Sequence, residues 1–137
     1  MNIKIRKITQ EDTQKILKWR NAKHIMDVFI DRNPLTEQIH NDWLKNYVNT
    51  GKVDQYIVYD EEKGEDFGSV YLKDIDQKNK KAEFGIFIGE QEYIGKGCGP
   101  TAEPIAYIAV SYSFVYAINA SSTASFKVFS PDCTQII

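Results

Sequence analysis

The residues that most constrain this chain are Ile94-Gly95-Lys96-Gly97-Cys98-Gly99, a turn with glycines at alternate positions, placed shortly after the β-rich stretch Ala82-Glu83-Phe84-Gly85-Ile86-Phe87-Ile88. A glycine-rich turn between a strand and a helix presents backbone N–H groups at a helix N-terminus, where unpaired donors and the helix dipole favour an anion such as a pyrophosphate. Glycines also make plain tight turns, so the order of the surrounding elements has to decide between the two.

Ile3, Ile5 and Ile8 alternate with polar residues and predict a strand. Thr9 caps the following segment, with Asp12 able to answer it in a capping box. Thr13, Ile16, Leu17 and Arg20 then share one face of a helix, and the polar run Asn21 to His24 ends that pattern. A second helix is expected from Thr36, because Ile39, Trp43, Leu44, Tyr47 and Val48 recur at helical spacing and Gly51 supplies a stop. Three strands follow: Gln55 to Tyr59, Phe67 to Leu72, and Ala82 to Ile88, the last expected to be buried on both faces at its end. Polar turns from Asp60 to Asp66 and from Asp74 to Lys81 separate them. Beyond the glycine turn, Ala102 to Phe114 reads as a buried helix, Val115 to Ile118 as a short strand and Ser122 to Phe129 as a short helix. This order is an α+β arrangement: a mixed, mostly antiparallel central sheet flanked by helices in one domain covering residues 1–137. A dinucleotide-binding unit would carry its glycine fingerprint after the first strand of a parallel sheet, so such a site is disfavoured.

Seventeen basic against nineteen acidic side chains leave a net charge of -2. That gives no excess for holding a phosphate backbone by counterion release, so nucleic acid is not an expected partner. The first residues lack the continuous apolar stretch of a signal peptide, and the run Ile105 to Ala120 is too polar and too short to span a bilayer. A cytoplasmic protein without membrane contact is expected. The two cysteines, Cys98 and Cys133, have no His/Cys spacing of a metal site around them, so free thiols and no metal are expected.

The pair Phe84-Gly85-Ile86-Phe87-Ile88-Gly89 and Ile94-Gly95-Lys96-Gly97-Cys98-Gly99 resembles the acetyl-coenzyme A motif of the GNAT (GCN5-related N-acetyltransferase) family, Gln/Arg-x-x-Gly-x-Gly/Ala after the central strand. Gly97 and Gly99 match its small positions, and Ile94 replaces its first polar residue. The resemblance implies acetyl-coenzyme A as co-substrate, with its pyrophosphate on residues 94–99 and its pantetheine arm along the backbone of the strand containing Phe84 and Ile86. Ile16-Leu17-Lys18-Trp19-Arg20-Asn21 followed by the Trp43 helix resembles the subgroup that acetylates ribosomal-protein amino termini and nucleotide-linked amino sugars. Trp19 reads first as a packing residue; Arg20 and Asn21 are substrate-side candidates. Asn119 to Phe129 resembles the family's closing strand and helix, with Ser122 where an Asn contacts the cofactor and Phe129 where a Tyr protonates the leaving thiolate. Phenylalanine cannot donate a proton, and the carboxyl-terminal part is short relative to the family pattern.

Amine acetylation needs a neutral amine, a route for its proton and donors for the developing oxyanion. Glu83, beside the cofactor strand, is the candidate base, with a solvated carboxylate or a charge partner as its plain reading. His40 is second; on a polar helix face it reads first as a surface residue. Tyr71 and Tyr93 are the candidates for the acid that Phe129 cannot supply, Tyr71 also for contact with substrate. The favoured function is acetyl transfer to a small amine, an amino-sugar nucleotide first. Peptide amino-terminal acetylation is an alternative, as is a non-catalytic family member that binds acyl-coenzyme A. An unfilled sheet edge also makes a homodimer an expected assembly.

Overall fold

In a computed structural model, residues 1–29, 31–76, 78, 81–96 and 98 are described, with the backbone alone for Ile75, Lys81, Ala82 and Phe84. The helix expected at 102–114, the strand at 115–118 and the helix at 122–129 lie outside these residues. The described sheet has four strands in the order β1 (Ile3–Lys7), β2 (Asp54–Asp60), β3 (Glu65–Asp76) and β4 (Lys81–Ile88), each antiparallel to the next. Register places Gln55, Tyr71 and Gly85 in one row, and Ile57, Ser69 and Phe87 in another. Because side chains alternate between faces with period two, both rows lie on the same side of the sheet, with Lys73 and its partner Glu83 beyond them.

The helices cover that side. Thr9 donates its backbone N–H to Asp12 Oδ2 at 2.9 Å and opens a short 3-10 turn, Gln10–Asp12, that leads into α1 (Thr13–Arg20). Ile16 and Trp19 of α1 join Ile8, Ile25, Leu44, Ile57 and Phe87 in one buried cluster. Trp19 is a packing residue, as expected: it is 1% exposed, meets Phe87 edge-on at 6.3 Å, and donates Nε1–H to Glu90 Oε1 at 2.8 Å. The opposite side of the sheet buries Ile3, Tyr56, Val58, Val70, Ile86 and Ile88 with Tyr93 and Cys98. β4 therefore sends Ile86 into one core and Phe87 into the other, which is the two-faced burial its composition predicts.

Four local expectations need correction. α1 does end at Arg20 where the polar run begins, but a further short helix, α2 (Lys23–Met26), was not expected; it forms because Ile25, fully buried, brings this turn into the helix-side core. The helix starting after the Thr36 cap is α only over α3 (Glu37–Trp43); Leu44–Val48 is a π-helical turn, closed by the Asn49 N–H on the Leu44 carbonyl at 2.8 Å. Such turns shift the side-chain phase, and here Trp43 stacks on Tyr47 at 5.0 Å. Ile39, assigned to the apolar face, is 53% exposed. Finally, β3 continues to Asp76 where a turn was expected from Asp74. A register shift after Lys73, with Asp74 at φ 51°, absorbs the irregularity and lets Asp76 pair with Lys81.

The start of α1 is tied to the sheet by charge. Arg6 of β1 holds Asp12 with two hydrogen bonds of 2.9 and 2.7 Å and reaches Asp66 of β3 at 2.7 Å, while Lys15 of α1 also pairs with Asp66. Burial works against the Asp12 carboxylate, but the Arg6 guanidinium and the Thr9 N–H outweigh it and hold the group below the usual carboxylate range.

Candidate functional site

A cavity of about 530 Å³ lies between α1, α3 and the helix-side face of β2 to β4. Its floor is set by strand parity: Gln55 from β2, Tyr71 and Lys73 from β3, and Glu83 and Phe87 from β4 all project from that face. Arg20 at the end of α1 and His40 on α3 supply the walls, together with Phe29, Asp31, Ile39 and Trp43 among others. Four residues singled out from the sequence thus meet here: Arg20, His40, Tyr71 and Glu83.

Glu83 Oε1 meets Lys73 Nζ at 3.2 Å across the strand pair. Burial alone would lower the lysine, but the carboxylate outweighs it and holds Lys73 above its usual range. Tyr71 lies over Gly85, its partner in register: a Cβ on Gly85 would stand 2.5 Å from the Tyr71 hydroxyl oxygen, so only glycine lets the ring lie flat on β4. Burial pushes the Tyr71 phenol up, and the charge of Glu83 adds to this while Lys73 and Arg20 oppose it. The phenol therefore keeps its proton at neutral pH.

His40 is not a surface residue: it is 2% exposed, its Nε2 has no hydrogen-bond partner among the described residues, and burial lowers its pKa despite the nearby charge of Asp12. A helix of seven residues that looks polar still turns one polar position inward. Gln55, 7% exposed, accepts from Trp43 Nε1 at 2.9 Å and donates to Ser69 Oγ at 3.1 Å, which fixes the rear wall as a satisfied polar chain.

Other expectations are not brought to this cavity. Tyr93, taken as catalytic, is on the opposite side of the sheet, stacked on Phe67 at 4.2 Å, and its hydroxyl donates to Glu65 Oε2 at 2.8 Å. Burial and that carboxylate push the phenol far up, so its proton is held, not offered to the Glu83 cavity. Asn21 is not part of the lining: its amide and carbonyl clasp the Leu35 backbone at 2.9 and 2.7 Å, which ties the loop before α3 to the end of α1.

The turn expected to take pyrophosphate begins after a 3-10 turn, Gln91–Tyr93. Ile94 is extended and packs beside the core, Gly95 has φ 74°, and Lys96 is exposed. Cys98 is buried against Met1, and burial raises its thiol pKa. The side chain of Ile86 belongs to the core, so contact with a cofactor arm would come from its backbone. Among the described residues no strand pairs with the outer edge of β4, which includes Phe84 and Ile86. Gly97, Gly99, Ser122 and Phe129 lie outside the described residues.

Lys73, Gln55, Phe29 and Asp31 are site residues that sequence reading missed. Lys73 carries a legible signal, because it stands two residues after Tyr71 on one strand; the others depend on which loop and strand meet in space.

The profile of the acetyltransferase (GNAT) domain matches residues 2–124 of the chain. The chain belongs to the GNAT acetyltransferase family. Comparison with curated proteins gives no match. Among solved structures, spermidine N-acetyltransferase from Vibrio cholerae in complex with CoA and spermine is similar at a TM-score of 0.68 and 23% identity, over 83% of this chain and 64% of that one. A domain from Methanocaldococcus jannaschii is similar at 0.70 and 22%, over 91% and 76%. A dodecameric spermidine N-acetyltransferase from Vibrio cholerae is similar at 0.60 and 21%, over 83% and 63%. These identities speak for the fold. This chain spans 64% of the length of the first Vibrio cholerae structure. Among the described residues no helix is long and apolar enough to cross a membrane, and no group of three or more His, Cys, Asp or Glu could hold a metal ion.

Proposed function

We propose that this GNAT domain moves the acetyl group of acetyl-coenzyme A to the primary amine of a small molecule, with an amino-sugar nucleotide as the favoured acceptor. The observation that carries this reading is the meeting of Glu83 and Tyr71 at the floor of a cavity walled by α1 and α3, within a family match over residues 2–124. The co-substrate supplies an activated thioester. The residues present suit it: Gly95 in a left-handed turn and exposed Lys96 lie after β4, and β4 has an edge with no described partner.

Glu83 takes the proton from the acceptor ammonium. Its Oε1 is engaged by Lys73, which leaves Oε2 for the amine proton. Tyr71, protonated at neutral pH, is a hydroxyl donor lining the same cavity. Gln55 and His40 give the cavity fixed polar walls that displace water from the acceptor.

Two measurements test this. Calorimetric titration with acetyl-coenzyme A is expected to give micromolar binding, about -8 kcal/mol. Thiol release in the presence of amino-sugar nucleotides, peptide amines and polyamines then reads transfer, and Glu83→Gln is expected to lower kcat by about 10²–10⁴ with cofactor affinity unchanged. Binding without transfer to any amine would leave an acyl-coenzyme A binding domain; absence of binding would sink the enzyme reading.

A further inference from the structure

Among the charged groups of the cavity, one is left open. Lys73 is matched by Glu83 at 3.2 Å. Asp31 is exposed and its Oδ1 accepts from the backbone and the side chain of Asn33 at 3.0 and 2.9 Å. Arg20 has its guanidinium 3.6 Å from the centre of the Phe29 ring, and among the described residues no carboxylate lies within ion-pair distance of it. The arginine of the sheet shows the contrast: Arg6 is held by the carboxylates of Asp12 and Asp66. An arginine partly withdrawn from water over an aromatic face carries a desolvation cost that no ion pair among the described residues offsets. Burial accordingly lowers its pKa, opposed only at a distance by Tyr71 and Asp31.

Resting on the acetyltransferase reading above, we infer that the acceptor amine carries an anionic group, a carboxylate or a phosphate, and that Arg20 seats it against Phe29 while the amine end reaches Glu83. The fork of the guanidinium suits both oxyanions, and the planar stack on Phe29 fixes its direction. The cavity disfavours a polycation. Its charged lining is Arg20 and Lys73 against Asp31 and Glu83, two of each sign, and His40 adds no negative charge. A polyamine needs acidic excess, and here it would meet Arg20, a cation without an ion-pair partner among the described residues.

The test uses matched amines that differ in the acid alone: phosphoethanolamine against ethanolamine, and γ-aminobutyrate against butylamine, with spermidine as the polycation. Each is titrated calorimetrically into the whole chain held at saturating coenzyme A, so that the glycine turn does not compete for the probe. At least one acid-bearing amine is expected to bind about tenfold or more tighter than its partner. Which of the two gains more separates carboxylate from phosphate. Arg20→Met is expected to bring the ratio below about twofold, and Arg20→Lys to keep part of it; should Arg20→Met fail to fold, Arg20→Gln carries the same comparison. Equal affinity within both pairs, no saturable binding of any probe, a ratio unchanged in Arg20→Met, or tighter binding of spermidine would each overturn the inference. The separate acetyl-coenzyme A titration scores the enzyme reading, so selective anion binding with no cofactor binding would defeat that reading and leave Arg20 as an anion site.

Discussion

Gly85 offers the sharpest check on how the cavity floor is built. In an ordinary strand, Gly→Ala is favourable by about 0.5–1 kcal/mol, because alanine loses less backbone freedom on folding. Here the added methyl would lie 2.5 Å from the Tyr71 hydroxyl oxygen and 2.8 Å from Cε1. The ring has to leave β4, and overpacking of this kind costs about 1–3 kcal/mol. The clash exceeds the propensity gain, so Gly85→Ala is expected to destabilise by about 0.5–2 kcal/mol, a fall of about 2–10 °C in Tm for a chain of this size. Thermal unfolding of Gly85→Ala, Tyr71→Val and the double variant closes a mutant cycle. With the ring gone, Gly85→Ala should become neutral or stabilising, giving a coupling of about 1 kcal/mol or more. An equal effect of Gly85→Ala in both backgrounds would refute the contact between Tyr71 and β4. Because the displaced ring enters the cavity, Gly85→Ala is also expected to weaken acceptor binding.

Three further outcomes follow from other parts of the structure. His40 has a folded pKa below its ordinary 6.5, so the unfolded chain binds the extra proton and stability falls as pH drops below about 6.5; Tm measured from pH 7.5 down to about 5.5 should decline less in His40→Gln than in the native chain. Asp12 has a folded pKa below its ordinary 3.8, so its contribution is present above that value and is lost as pH falls through the lower folded value. Asp12→Asn should therefore lower the urea midpoint at neutral pH while flattening its decline below about pH 4. Asn21→Ala removes both clasps on Leu35 and should cost about 1 kcal/mol, with a raised KM and little change in kcat in a thiol-release assay, since the loop bordering the cavity loosens while Glu83 is untouched.

The sequence by itself determined the elements whose cause is local. Alternation of Ile3, Ile5 and Ile8, the Thr9 cap answered by Asp12, the Thr36 cap and the β-branched and aromatic runs at 55–59, 67–72 and 82–88 each follow from a period or a hydrogen bond a few residues long, and the structure carries elements in those places. The GNAT family was legible for a similar reason, since its motif is contiguous and its spacing is fixed by the strand before it. The tertiary structure decided what depends on pairing over long distances. Ile25 makes α2 because a core forms above it, and His40 is buried because α3 lies against α1. Tyr71 and Tyr93 look equivalent in composition, yet one lies on each side of the sheet. Strand register settles the side for Tyr71, and the 3-10 turn Gln91–Tyr93 after β4 carries Tyr93 to the other. A shift of one residue sends every side chain of a strand to the other face, and only the paired sheet fixes which row of Gln55, Tyr71, Lys73, Glu83 and Phe87 becomes the floor of one cavity.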